Sequence, residues 1–227
     1  MTLHGSAVTG DEVDEPGSSS PDGFVVERAR RGDPAAQEAL VRAYTAGIFN
    51  LHAKLLGDRH AAQDLTQETF IKVFRGIHGF EAGRSFKAWA FAIAWNTARD
   101  HLRRARRRTF RSLPAASGDP DAGDVDIEDR RAPAILDTLV ERERASVVRE
   151  ALSRLDPERR ALLVLREFED LSFEELGDLF GCGTGTARSR VHRARLALRD
   201  EIAVIRPDWF RAHGSGAGPA RGEGPFS

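Results

Sequence analysis

The chain has 227 residues with a formal net charge of −1, of which 41% are apolar and 30% charged. That is enough apolar matter for one or two soluble cores, while no apolar run approaches the roughly 20 residues of a membrane span. A single cysteine, Cys182, excludes an internal disulfide and points to a reducing compartment.

The near-zero net charge hides segregation along the chain. Residues 1–22 are rich in Gly, Ser and Pro and hold Asp11, Glu12, Asp14, Glu15 and Asp22 without one Lys or Arg. They read as a disordered, solvated tail with no apolar leader segment, so a cytoplasmic location is expected. Order begins near Phe24. In "GDPAAQEALVRAYTAGIFNLHAKLLGD", Asp33 is the N-cap, Pro34 takes the first helical position, and Gly57 stops the helix. A second helix follows in "RHAAQDLTQETFIKVFRGI" and ends at Gly76 or Gly79. "HGFEAGRS" is a loop, and "FKAWAFAIAWNTARDHLRRARRR" is a third, long helix. Residues 112–134 are Pro, Gly, Ala and Asp without a period and form a linker, acidic between Asp119 and Asp129. Helical pattern resumes from Ile135 to Leu155. Asp156-Pro157 then opens "DPERRALLVLREFED", and Ser172 with Glu175 makes a capping box for a short helix to Phe180. "GCGTG" is a turn, a basic helix runs from Thr186 to about Val204, and residues 205–227 read as a flexible tail. No strand pattern appears. The expected class is all-α: two helical domains, residues 23–111 and 135–204, joined by a flexible acidic linker.

A short helix, a glycine turn and a basic helix make a helix-turn-helix pattern. On the basic helix Ala187, Val191, Ala194 and Leu198 share one narrow face, and Arg188, Ser189, His192 and Arg193 the opposite one, with Arg190 and Arg195 on the flanks. Base edges in a major groove call for short polar and guanidinium groups outward, and phosphates for long cations sideways. The backbone N–H groups near Gly185 and Thr186 suit a phosphate. A basic face can also be merely solvated; the turn and the capped helix before it favour DNA.

Asp64, Gln67 and Glu68 share a face of the second helix, where the two carboxylates repel by a few tenths of a kcal/mol. Spacing alone leaves open a solvated face or a dock for a cationic partner. The third helix has two apolar faces, Phe86, Ala90, Ile93 and Thr97 on one and Phe91, Trp95, Ala98 and Leu102 on the other, so it should lie between two neighbours. No phosphate loop, nucleophile motif or metal-ligand spacing occurs, so neither enzymatic activity nor a cofactor is expected.

In order, "DLTQETF", "FKAWAFAIAWNTARDHLRR" and "LSFEELGDLFGCGTGTARSRVHRARLALR" resemble bacterial RNA polymerase sigma factors of the extracytoplasmic-function family, over about residues 24–110 and 135–203. The resemblance implies a protein that binds core polymerase, reads the −35 and −10 promoter elements and opens the −10 region. The first bundle would be sigma region 2 and the second region 4. Asp64, Gln67 and Glu68 match positions that dock on the β′ clamp coiled coil, and the second bundle would meet the β flap. The loop Phe80 to Ser85 matches one that captures a flipped −10 base. Phe80, Arg84, Ser85, Trp89 and Asn96 would serve the opened strand, and Arg99, Arg103, Arg104 and Arg106 to Arg108 the upstream duplex phosphates. Trp95 would be structural. Gly185, Thr186, Arg188, Ser189, Arg190, His192 and Arg193 would meet the −35 element. The linker would thread toward the RNA exit channel, its acids mimicking nucleic acid. An anti-sigma factor is an expected partner, and the holoenzyme would be nucleoid-associated. Gly183 and Thr184 stand where the family often has Pro and a branched residue, Ala187 replaces a usual Val, and Gly177 replaces a usual Ala at up to about 1 kcal/mol of helix propensity. Two other readings explain less. A helix-turn-helix regulator acting on duplex DNA alone gives "DLTQETF" no task, and a small helical enzyme using Glu68 or His101 has no acid/base pair.

Overall fold

A computed structural model describes residues 22–81, 83–111 and 135–211, without the side chains of residues 22, 108–111, 135–141 and 211. The expected N-terminal tail, the acidic linker, the end of the chain beyond 211 and the Arg108 side chain therefore lie outside the described residues.

Every described element is helical. The first bundle holds α1 (Asp22–Arg30), α2 (Pro34–Leu56), α3 (Arg59–Gly76), a 3-10 turn (Ile77–Gly79) and α4 (Phe86–Arg111). The second holds α5 (Ile135–Arg154), α6 (Pro157–Glu167), α7 (Phe173–Phe180), α8 (Thr184–Ile205) and a short α9 (Asp208–Arg211). Local chemistry sets the boundaries. Asp33 accepts from the N–H groups of Ala35 and Ala36, and Gly57 ends α2 in the left-handed conformation at φ 68°. Asp58 caps α3, Asp156 caps α6, and the Ser172–Glu175 capping box opens α7.

Two expectations about ends need correction. α1 is a separate helix, tied to α2 by the Arg28–Asp33 ion pair at 2.5 Å. The stretch after Pro207 is not tail from its start, because α9 seats Trp209 on the α5/α8 core while Arg206 bonds Glu143 and Asp208.

The two bundles also pack on each other, a contact on which the sequence was silent. One apolar core runs from α1–α4 into α6, α7 and the start of α8, joining Ile48, Phe91 and Trp95 to Leu162, Leu165, Leu176 and Val191. A second core lies between α5 and α8. α4 is held between neighbours, as its two apolar faces require, but one neighbour is α7: Trp95 packs on Phe180 with ring centroids 5.7 Å apart. Gly47 in α2 receives Glu169 from the α6–α7 turn, where an added Cβ would also lie 2.9 Å from Phe91 Cζ. Lys54 lies 4.6 Å from the Phe168 ring centroid.

Arg160 joins the bundles by hydrogen bonds. It is buried, and its guanidinium donates to the Lys54 and Leu55 carbonyls at the end of α2 at 3.1 and 2.9 Å. It also donates to the Ser153 and Leu155 carbonyls at the end of α5 at 2.5 and 2.9 Å. Two helix C-termini, each with unpaired carbonyls and partial negative charge, share one cation. Only its Nε finds no partner. Arg160→Ala should lower the stability of the full chain by about 3 kcal/mol or more, because buried carbonyls lose a charged donor. Lysine should not restore it, since a compact ammonium cannot span four acceptors. A shift below about 1 kcal/mol in denaturant titrations would leave the apolar contacts as the main join.

His52 is the other buried polar anchor, fully enclosed in the first bundle. Its Nε2 lies 3.1 Å from the Ala94 carbonyl and its Nδ1 3.2 Å from the Thr66 hydroxyl. A carbonyl can only accept, so the neutral ring is the Nε2–H tautomer. Burial holds its pKa below the ordinary 6.5. The neutral form therefore favours folding above about 6.5, and this contribution is lost as pH falls from there through the depressed folded pKa. Thermal midpoints should decline over that window and decline less in His52→Gln.

Candidate nucleic-acid interface

α8 carries the most clearly directed surface. Ala187, Val191, Ala194, Leu198 and Ile202 are buried, while Arg188, Ser189, His192 and Arg193 are exposed. The helix begins at Thr184, two residues before its expected start, because Gly183 is the N-cap. Gly183 has no side chain to satisfy the first amides of α8, and Thr184, Gly185 and Thr186 are all exposed residues. Three of the α8 cations also have partners within the domain. Arg188 lies 5.1 Å from the Phe173 ring centroid, Arg190 pairs with Glu158 at 3.0 Å, and Arg195 pairs with Glu167 at 2.6 Å.

The glycine at 177 has a steric reason. Gly177 is buried in α7, and a Cβ there would come within 2.7 Å of the Cys182 carbonyl oxygen in the turn. The turn backbone crosses α7 at a distance that alanine forbids. Cys182 is a half-buried free thiol packed on the core, in line with a small apolar role. Gly177→Ala should destabilise the chain despite alanine's propensity advantage of up to about 1 kcal/mol. A higher melting temperature for this variant would show that the turn yields.

The acidic surface of α3 is partly self-neutralised. Asp64 and Gln67 are exposed. Glu68 is half-exposed and pairs with Lys72 at 2.7 Å, and Lys72 in turn donates to Thr97 at 3.0 Å. The relief expected from an outside cation thus begins within the helix. Beside them Ile71 is exposed at 51%, which puts an apolar side chain on the same surface.

The loop before α4 differs most from its sequence reading. Phe80 was expected to meet an opened DNA strand, yet it is buried at 9% exposure, edge-on to Phe86 at 5.5 Å and 5.3 Å from Trp89. Its ring fills the space between the 3-10 turn and α4 and is not available to a base. Trp89 is half-buried, leaning on Phe80, Phe86 and the end of α3 at Gly76. Its free edge heads a stripe down α4, with Asn96 and Arg103 following at seven-residue spacing, all exposed past the tryptophan. Arg99, Arg104, Arg106 and Arg107 widen that stripe into a cationic ridge. Arg84 is exposed, and Ser85 caps α4 by accepting from Ala88 N–H at 3.1 Å.

Among the described residues no cluster of His, Cys, Asp or Glu is arranged to hold a metal ion, and no helix is long and apolar enough to cross a membrane.

The chain's relatives carry the same two parts. The family described as Sigma-70 region 2 matches residues 40–108, and Sigma-70, region 4 matches residues 145–198. The RNA polymerase sigma-H factor of Pseudomonas aeruginosa is 37% identical over 177 residues, covering 77% of this chain and 90% of that protein. The ECF RNA polymerase sigma factor SigE of Mycolicibacterium smegmatis is 38% identical over 194 residues, covering 82% of this chain and 70% of that protein. Among solved structures, CnrH in complex with the cytosolic domain of CnrY shares the fold at a TM-score of 0.59 with 22% identity, covering 82% of this chain and 98% of that one. With region 2 and region 4 matched in order and relatives of this similarity, the chain belongs to the extracytoplasmic-function sigma factors of the sigma-70 family.

Proposed function

We propose that the two bundles divide the work of a promoter-specificity subunit, with α3 docking on core polymerase, α4 and its preceding loop opening the −10 region, and α8 reading the −35 duplex. The observation that carries this reading is α8: its apolar face is buried while Arg188, Ser189, His192 and Arg193 stand in solvent. A major groove accepts such a helix, and its bases are told apart by such groups. The uncapped first turn of α8, with Gly185 and Thr186 exposed, suits a phosphate.

Asp64, Gln67 and Glu68 would meet a cationic surface on the β′ clamp coiled coil, and the second bundle would approach the β flap. Arg84, Ser85, Trp89 and Asn96 would act on the unpaired strand. Trp89 offers a ring edge fixed by its neighbours, and base stacking on an aromatic contributes about 1–3 kcal/mol per base. Phe80 supports that ring from below and leaves the contact to it. Arg99, Arg103 and Arg104 would follow the duplex phosphates, so binding should weaken with salt. Opening is driven by binding energy; unstacking a base costs a few kcal/mol, offset by the new contacts. The family works by binding and not by covalent chemistry, and no cofactor enters. An anti-sigma factor would be a further partner, and in the holoenzyme the protein would sit on the nucleoid. The domain limits we assign are residues 23–111 and 135–204.

Run-off transcription with purified core polymerase on genomic fragments is the direct test. Asp64→Arg with Glu68→Arg should abolish run-off while leaving the fold intact by circular dichroism; unchanged run-off would remove the docking surface from the account. Arg188→Ala should cost about 1–3 kcal/mol of recognition on an intact −35 element. An equal loss on a scrambled −35 element would reduce Arg188 to a phosphate contact.

A further inference from the structure

We infer that Phe173, the first residue of α7, is a specificity-positioning residue for the −35 element: its ring holds the Arg188 guanidinium near the start of α8 and leaves the N–H edge of that guanidinium free for a guanine. This rests on the assignment of α8 to the −35 duplex. It adds a residue outside the reading helix to those that determine which sequence the helix selects.

The arginines of α8 differ in what holds them. Arg190 and Arg195 donate N–H groups to Glu158 and Glu167 at 3.0 and 2.6 Å. Arg188 has no carboxylate partner among the described residues; its guanidinium carbon lies 5.1 Å from the Phe173 ring centroid. A carboxylate takes up the N–H groups with which an arginine recognises a base edge. An aromatic ring attracts the cation through its quadrupole and needs none of them. Arg188 is therefore placed by a neighbour and still has its donors to give.

The ring itself is fixed from several sides. Ser172 and Glu175 lock the first turn of α7 by their capping box. Phe173 is half-buried against the apolar core. Arg166, in the last turn of α6, has its guanidinium carbon 4.5 Å from the centroid of the same ring and donates to the Leu171 carbonyl at 2.6 Å. The Cys182 carbonyl, close against Gly177, sets the turn that carries α8 away from α7. Ring and guanidinium thus belong to two helices held in one mutual position. An arginine free in solvent must give up rotamer freedom when it binds, and one already held gives up less. A guanidinium in a fixed place also discriminates better, because its paired bonds to guanine O6 and N7 have one geometry.

Run-off transcription by the full chain with core polymerase tests this, on a genomic fragment that supports run-off and on copies with each −35 base pair exchanged in turn. The readout is the ratio of run-off between the intact and the exchanged template. Discrimination at one G·C pair should depend on Arg188 and vanish in Arg188→Ala. Phe173→Leu keeps an apolar side chain and removes the ring; it should lower discrimination at that pair about three- to fivefold and leave the other pairs unchanged. Phe173→Tyr should restore it. In the Arg188→Ala background, Phe173→Leu should change nothing further. Should the leucine variant not fold by circular dichroism, Phe173→Met takes its place. An equal loss at every pair, full discrimination without the ring, or the same loss with and without Arg188 overturns the inference. Discrimination that survives Arg188→Ala also overturns it, while leaving α8 to read through its other residues. The assignment of α8 fails on a separate readout: a wild-type chain indifferent to every −35 exchange does not read that element, and the inference falls with it.

Discussion

Four carbonyl oxygens converge on Arg160, two from the end of α2 and two from the end of α5. Neither helix end could be buried alone, because each leaves carbonyls without donors. A guanidinium is the side chain suited to this position: it is planar, permanently charged, and carries enough N–H groups to serve two helices at once. The rest of the arrangement follows from that fixed point. It positions the start of α6 against α2, which directs the α6–α7 turn at Gly47 and brings α7 down on α4. The apolar core that crosses between the bundles fills the space so defined.

The same interaction ties the region 2 part of the chain to the region 4 part. The 23 residues from 112 to 134 could span at most about 80 Å fully extended. The join is made by a buried cation, the apolar core that crosses between the bundles and the ring pair Trp95–Phe180. Cations of α8 are likewise held by neighbours: Arg190 pairs with Glu158 and Arg195 with Glu167.

Much of this was legible in the sequence because its causes are local. Asp33, Asp156 and the Ser172–Glu175 pair announce helix starts by chemistry that acts within three residues. The buried and exposed faces of α8 follow from the helical period alone, as do the two apolar faces of α4. Contacts distant in sequence were not legible. Nothing in "DPERRALL" distinguishes Arg160, which is buried, from Arg159, which is exposed. Phe80 lies in a Gly-rich loop and looks exposed, yet two aromatic neighbours, Phe86 and Trp89, draw it in. Gly177 looks like a weak helix residue until the Cys182 carbonyl is seen against it. The two apolar faces of α4 rightly place it between neighbours, but α2, α3 and α7 all pack on it, and only the structure shows that one of these belongs to the other domain.

The distance between the bundles in solution tests this account most directly. With Cys182→Ser, spin labels on cysteines replacing Arg42 in α2 and Arg199 in α8 would report it by pulsed electron resonance. The account predicts one narrow, short distribution for the free chain, broadened in Arg160→Ala and lengthened by tens of ångströms when core polymerase and promoter DNA are added. A free chain that already shows the long distribution, or a complex that keeps the short one, would contradict it.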